Sequence, residues 1–258
     1  MFSAKPCTLL GNRVRLASSA SLAAFVLLAA SLGHGQGLRL DHLTVAVRDL
    51  PQAVLQAERV GFTVKPGRLH DNGLKNAFIE FADGTEIELM TLVGLAQDDV
   101  SRTYEKFLAR GEGAIFLALS AENLSAVQHA WSNAGISTRL SEGSAWSYLT
   151  VESPVAFRGL YFIRYSTEPP HQPGRTRSGI RSIALSLNPQ QVEQLGRAFA
   201  DIGYAPAEDG RIELQRGAVV LTSGPRREFL NLDLCTGEGW QGPEETEFFG
   251  LKIRLQTC

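Results

Sequence analysis

The sequence predicts an α+β fold of repeated βαβββ modules whose curved mixed sheets form a half-open barrel. The first observation is a pattern of alternating strand, Asp or Asn turn, amphipathic helix and glycine that recurs. It reads LDHLTVAV, RDLPQAVLQAERV and Gly61-Phe62; then GAIFLALS, AENLSAVQHAWSNA and Gly135-Ile136; then IRSIALSL, NPQQVEQLGRAFADI and Gly203-Tyr204. The second is spacing: Asp49 to Gly61 equals Asn123 to Gly135, while the third copy has a longer helix. The third is Asp83-Gly84 between two alternating runs, a strong hairpin signal.

The chain opens differently. Lys5, Arg13 and Arg15 precede an uncharged apolar run over residues 17–33, which closes on the small residues Ser31, Gly33 and Gly35. This is the layout of a secretory signal over residues 1–36. It implies a periplasmic or secreted protein with no stable membrane span after cleavage. An uncleaved anchor is the other reading of the same run. Cys7 lies in this signal, and Cys235 and Cys258 remain as an even pair. An oxidising compartment would join them into a disulfide; two free thiols is the alternative.

In the first module, side chains alternate along the strand, so Leu43, Val45 and Val47 share one face and His42, Thr44 and Ala46 the other. Asp49 caps the helix and Pro51 suits its first turn. Val54, Leu55 and Val60 form the expected apolar stripe. Gly61 and Gly135 end their helices where a left-handed residue needs no Cβ. Further strands are FTVKPG, NAFIEFA and TEIELMTL in the first module; STRLSE, WSYLTVE and GLYFIRYS in the second; RIELQR and AVVLTS in the third. A paired domain thus covers 37–168, with a short helix expected around SRTYEKFLARG. Residues 168–178 are a Pro-rich linker. A third, partial module with an irregular tail covers 178–258, in which EFLNLDL and FGLKIRLQ read as strands of a degraded fourth unit.

Composition is that of an ordinary globular protein, with 44% apolar and 20% charged residues in 258. A net charge of −2 without a basic stripe argues against nucleic acid. A small-molecule ligand is the expected partner. Motifs of nucleophilic hydrolases, metalloproteases and phosphate-binding loops are absent.

The stretches LDHLTVAVRDL, GFTVKPGRLHDNGLKNAFIEF and DGTEIELM resemble the glyoxalase-like domain proteins of the vicinal-oxygen-chelate superfamily. LYFIRY and HQPGRTRSGIRSIALSL resemble the later part of such proteins, so the likeness spans roughly residues 38–222. It implies paired modules around a concave ligand site, and module exchange known in the superfamily makes a homodimer one expected assembly. It says little about reaction, because the superfamily includes isomerases, dioxygenases, epimerases and drug-sequestering proteins.

The resemblance also implies a divalent metal held by the first and last strands of paired modules. Here those strands offer His42 and Glu88, and strand parity turns both to the concave face. Zinc, iron, nickel or manganese would suit them. The second module places Phe116 and Ile163 at the matching positions, and the third places Ser182 and Leu221. His70, in GRLHDNG, would complete a two-His-one-carboxylate set. The competing readings are a hydrogen-bonded core His42, a solvated His70, and a Glu88 paired with an arginine such as Arg164. Asn76 either binds a ligand carbonyl or caps the loop. Arg164 either anchors an anionic ligand or points outward. Trp131 and Trp146 read as core, His129 as exposed, and His171 receives no role.

The expected function is an exported protein that binds a small oxygenated molecule. Glu88 would be catalytic in metal-assisted lyase, isomerase or dioxygenase chemistry. The alternatives are non-catalytic sequestration on the same fold, and a structural or protein-interaction role.

Overall fold

The computed structural model describes residues 37–167, 179–237 and 242–257. The expected export signal over 1–36, the linker 168–178 with His171, and Cys258 lie outside the described residues. Cys235 is disulfide-bonded.

The first module runs β1 (Arg39–Ala46), α1 (Leu50–Val60), β2 (Val64–Leu69), β3 (Leu74–Glu80) and β4 (Glu86–Leu92). After α2 (Asp99–Leu108), the second runs β5 (Gly113–Ser120), α3 (Leu124–Asn133), β6 (Ser137–Ser141), β7 (Trp146–Ser153) and β8 (Leu160–Tyr165). Local chemistry sets these limits. The Asp49 carboxylate accepts from the Gln52 amide at the start of α1, and Gly61 ends it at φ 108°. Asn123 accepts from the Ala126 amide at the start of α3, and Gly135 follows at φ 75°. Gly84 takes φ 83° in the turn between β3 and β4, where Asp83 accepts from both the amide and the hydroxyl of Thr85.

The sheet order is β2-β3-β4-β1-β5-β8-β7-β6. Each module sets its first strand parallel to its last, β1 on β4 and β5 on β8, and the modules join through antiparallel β1 and β5. Among the described residues β2 and β6 are the outer strands, so the curved sheet does not close.

Beyond residue 178 come β9 (Gly179–Leu187), α4 (Pro189–Ala200), β10 (Arg211–Glu213) and β11 (Ala218–Ser223), then β12 (Glu228–Thr236), β13 (Glu245–Phe248) and β14 (Leu251–Thr257). Their order is β10-β11-β9-β12-β14-β13. β9 lies parallel to β11, antiparallel to β12, and β12 parallel to β14. This repeats the first sheet's logic with one strand fewer on each side. EFLNLDL falls in β12, and FGLKIRLQ supplies the turn after β13 and most of β14.

One apolar core joins both sheets. Leu43, Leu89, Leu117 and Phe162 from the first meet Ile183, Leu185, Phe199 and Leu232 from the second unit. Trp131 is fully buried at their junction, with ring centroids 4.7 Å from Phe162 and 5.7 Å from Phe199. Backbone bonds stitch the same junction: the Leu40 amide donates to the Arg216 carbonyl, and the Gln215 amide to that of Leu38. The apolar stripe of α1 differs from expectation. Leu50, Ala53 and Ala57 are buried while Leu55 is 48% exposed, because spacings of three and four from Leu50 fall on residues 53, 54 and 57 and leave Leu55 off the stripe.

The concave face is covered at one end by α2, whose Asp98 caps it in a capping box with Ser101. α2 sends Tyr104 into a small cluster with Ala46, Leu74, Met90 and Ile115. Among the described residues, no helix is long and apolar enough to cross a membrane.

Candidate functional site

Alternation along each strand of the first sheet places a second set of side chains on the concave face. His42 and Thr44 come from β1, Asn76 and Phe78 from β3, Glu88 and Met90 from β4, Tyr148 from β7, and Tyr161, Ile163 and Tyr165 from β8. They line a cavity of about 680 Å³. Its lining is mostly apolar and aromatic, with a few converging polar groups at the floor, which is the usual make-up of a small-molecule site.

The floor is one hydrogen-bonded array. His42 Nδ1–H donates to Asp41 Oδ1 at 2.6 Å. His42 Nε2 lies 2.6 Å from the Tyr161 hydroxyl and 3.9 Å from Glu88 Oε2. The Tyr165 hydroxyl donates to the same Asp41 oxygen at 3.0 Å. Glu88 is held from the other side: Thr44 Oγ1–H donates to Oε2 at 3.0 Å and Asn76 Nδ2–H to Oε1 at 2.9 Å.

Electrostatics follow from this crowding. Burial disfavours a charged His42, but its hydrogen bond to Asp41 and the charges of Asp41, Glu88 and Glu86 outweigh it and push the imidazole up to about 9. Burial lifts the Glu86 carboxyl to about 7, against the pull of His42. Burial, and then the charge of Glu88, raise the Tyr104 and Tyr161 phenols well above their ordinary range. At neutral pH the floor therefore holds an imidazolium between carboxylates, with neutral phenols around it.

His42, Glu88, His70 and Asn76 all line the cavity, whereas Arg164 does not. His42 and Glu88 lie side by side on the floor as strand parity predicts. Phe116 and Ile163 take the matching places from the second module, so those two positions supply no metal ligand. His70 sits on the turn joining β2 to β3, where its amide donates to the Leu74 carbonyl. Its Nε2 is buried without a partner. Among the described residues, no three His, Cys, Asp or Glu side chains gather as metal ligands. His42, Glu88 and His70 thus line one cavity, the first two from β1 and β4 and the third from the turn after β2, without forming a three-ligand group. Asn76 is site structure more than ligand contact, since its Oδ1 accepts from the Arg68 amide while its Nδ2 holds Glu88. This needs β2 close by, and a Cβ on Gly67 would fall 2.1 Å from Asn76 Oδ1. Arg164 is exposed on the other face of β8, because Tyr161, Ile163 and Tyr165 take the concave parity, which is the outward one of its two readings. Trp131 is core as expected, but Trp146 lines the cavity and is 40% exposed.

Tyr161, Tyr165 and Asp41 escaped the sequence reading. The signal was there for the tyrosines: once Ile163 is matched to Glu88, residues two positions to either side share its face. Asp41 carried none, because the register shift between Leu40 and His42 breaks the alternation beside it.

A family model described as a glyoxalase-like domain matches residues 40–197, more than half of the chain. A solved structure of a hypothetical protein from Staphylococcus aureus is 12% identical with a TM-score of 0.66, covering 86% of this chain and 99% of its own. It shows the same fold across both sheets. Methylmalonyl-CoA epimerase from Mycobacterium tuberculosis is 23% identical, with a TM-score of 0.40 over 56% of this chain and 95% of its own. The Streptomyces coelicolor methylmalonyl-CoA epimerase is 18% identical, with a TM-score of 0.39 over 50% of this chain and 98% of its own. No curated protein sequence matches the chain.

Proposed function

The chain belongs to the glyoxalase-like domain family of the vicinal-oxygen-chelate superfamily, and from that premise we propose that its cavity binds a small oxygenated molecule and moves a proton on it without a resident metal. One observation carries this reading: Glu88 Oε2 and the Tyr161 hydroxyl flank the same His42 nitrogen, at 3.9 and 2.6 Å, on the floor of an aromatic cavity. A carboxylate and a phenol so placed suit a carbonyl compound. Glu88 takes a proton from the carbon beside the carbonyl. The electron pair of that C–H bond forms the new C=C bond, and the carbonyl pair moves onto oxygen, where the Tyr161–His42 donors stabilise it. Return of the proton to either face completes an isomerisation. The depth of the cavity and its converging polar groups count against a purely structural role.

Members of the superfamily often use divalent metals, but the donor set here does not fit one. His42 and Glu88 offer two side chains where even catalytic zinc takes three protein ligands, and Tyr161 and Asp41 already occupy both imidazole nitrogens. An excess of zinc, iron(II), nickel or manganese is expected to shift the melting temperature by less than about 1 °C. A site filled at a hundred times its Kd would add about 2.7 kcal/mol, or about 5 °C or more at this size. A shift of that order overturns the metal-free reading.

The test of function is deuterium wash-in at the carbon beside the carbonyl of acetophenone, followed by proton NMR in D2O. Exchange faster than buffer, and dependent on Glu88, supports the proposal. Binding without exchange overturns the catalytic part and leaves sequestration.

We also read the protein as exported, to the periplasm or outside the cell. The support is the basic, apolar, small-residue order of residues 1–36 and the disulfide bond at Cys235. Mass spectrometry of the N-terminus after expression checks it; an intact Met1 on protein confined to the cytoplasm overturns it.

A further inference from the structure

We propose that the ligand is an aryl keto acid, bound with its carbonyl at the floor, its ring along the tyrosine wall and its carboxylate at the mouth against Arg68. This rests on the proton-transfer reading above and adds the chemical class and polarity of the molecule on which it acts.

The wall points to a ring. Successive aromatic pairs run from mouth to floor: Trp146 with Tyr148 at 6.4 Å, Tyr148 with Tyr161 at 6.0 Å, Tyr161 with Phe116 at 6.4 Å, and Phe116 with Tyr104 at 5.6 Å. All five line the cavity. Trp146 is 40% exposed at the outer end and Tyr104 is 3% exposed at the inner one. A planar ring inserted along this series meets ring edges and faces at each step, the arrangement that aromatic pairs favour.

The charge distribution gives the direction. At the floor, Asp41, Glu86 and Glu88 surround the one imidazole of His42. A carboxylate placed there would meet like charge in a buried setting, whereas a carbonyl oxygen meets donors. At the mouth the sign reverses, because β2 contributes Lys65 and Arg68 to the lining. Lys65 is committed, its Nζ lying 2.6 Å from Glu80 Oε1. Among the described residues that line the cavity, Arg68 is the cation left without an acidic partner. It is exposed on β2 at the edge of the cavity. Arg68 and Tyr148 line the same cavity, and while burial, Glu88 and Asp41 raise the Tyr148 phenol, the Arg68 charge pulls it down. A planar fork of donors at that point matches a carboxylate.

Calorimetric titration of the full chain with β-benzoylpropionate and with its neutral amide tests this. The two probes share ring, ketone and length, and differ in the charge at one end. Because Arg68 is exposed, the acid is expected to bind tighter by a modest factor, about fivefold, and the preference shrinks with added salt. In Arg68→Gln the ratio of the two affinities falls to about one, and Arg68→Lys keeps part of it. Equal affinities in the unmodified protein, or a preference that survives Arg68→Gln, overturn the assigned polarity while leaving proton transfer standing. Failure of both probes to bind overturns the ligand class together with the reading beneath it.

Discussion

Trp131→Ala is expected to lower stability by about 3–5 kcal/mol, the usual range for removing a fully buried large aromatic side chain. The residue lies on α3 but holds three elements together. It packs edge-on against Phe162 of β8 and Phe199 of α4, so the void would open where the first sheet meets the second unit. For a chain of this size, that loss corresponds to a drop of roughly 10 °C in melting temperature. Trp131→Phe should cost much less. The indole N–H is buried without a hydrogen-bond partner, and an orphaned donor costs about 1–3 kcal/mol. Phenylalanine keeps most of the ring contact and removes that penalty. Guanidinium unfolding of both variants, read at equal slope, separates the two effects. If alanine costs under about 1 kcal/mol, or phenylalanine costs as much as alanine, Trp131 is not the tie between the units.

What could be read beforehand follows how locally each feature is encoded. Asp49, Asn123 and Asn188 cap helices through their own third residue, Gly61 and Gly135 need a left-handed backbone, and Asp83-Gly84 turns a hairpin within four residues. Each signal is complete in a short stretch, so the repeated modules were legible. His42 and Glu88 were legible for the same reason, since alternation fixes the face of a strand residue without knowledge of its neighbours. Arg164 kept two readings because its charge and its place on an apolar strand point opposite ways, and alternation from Ile163 is what turns it outward. His70 could not be placed, because a turn residue obeys no period and its direction depends on how β2 closes over Asn76. The hydrogen bonds between His42 and Tyr161, and from the Tyr165 hydroxyl to Asp41, join residues 119 and 124 positions apart. Nothing local records which tyrosine of the second module will meet which residue of the first. That pairing is set by the antiparallel junction of β1 and β5 with its two register shifts. The site therefore became legible as a carboxylate–phenol pair only once both modules stood on one sheet.

Glu88→Gln is the substitution expected to have the largest effect on chemistry. The amide keeps the shape of the side chain. Its oxygen still accepts from Asn76 Nδ2–H, and its nitrogen can donate to Thr44 Oγ1, so the floor stays packed and the fold should survive. What is lost is the lone pair that takes a proton. A positioned general base contributes about 10²–10⁴ in rate, so deuterium exchange into the probe ketone should fall by about that factor. The affinity for the ketone should change far less, because Glu88 contacts the transferred proton and not the carbonyl oxygen. Tyr161→Phe separates the second role. Its hydroxyl serves the oxygen on which charge develops, and removal of one such donor costs about 10²–10³. The two losses should not multiply in the double variant, since base and donor act on one transition state. Far-UV circular dichroism and a melting curve on each variant confirm that a folded protein is being compared. Exchange at the unmodified rate in a folded Glu88→Gln protein would remove Glu88 as the base, and with it the reason for placing a carbonyl beside Tyr161.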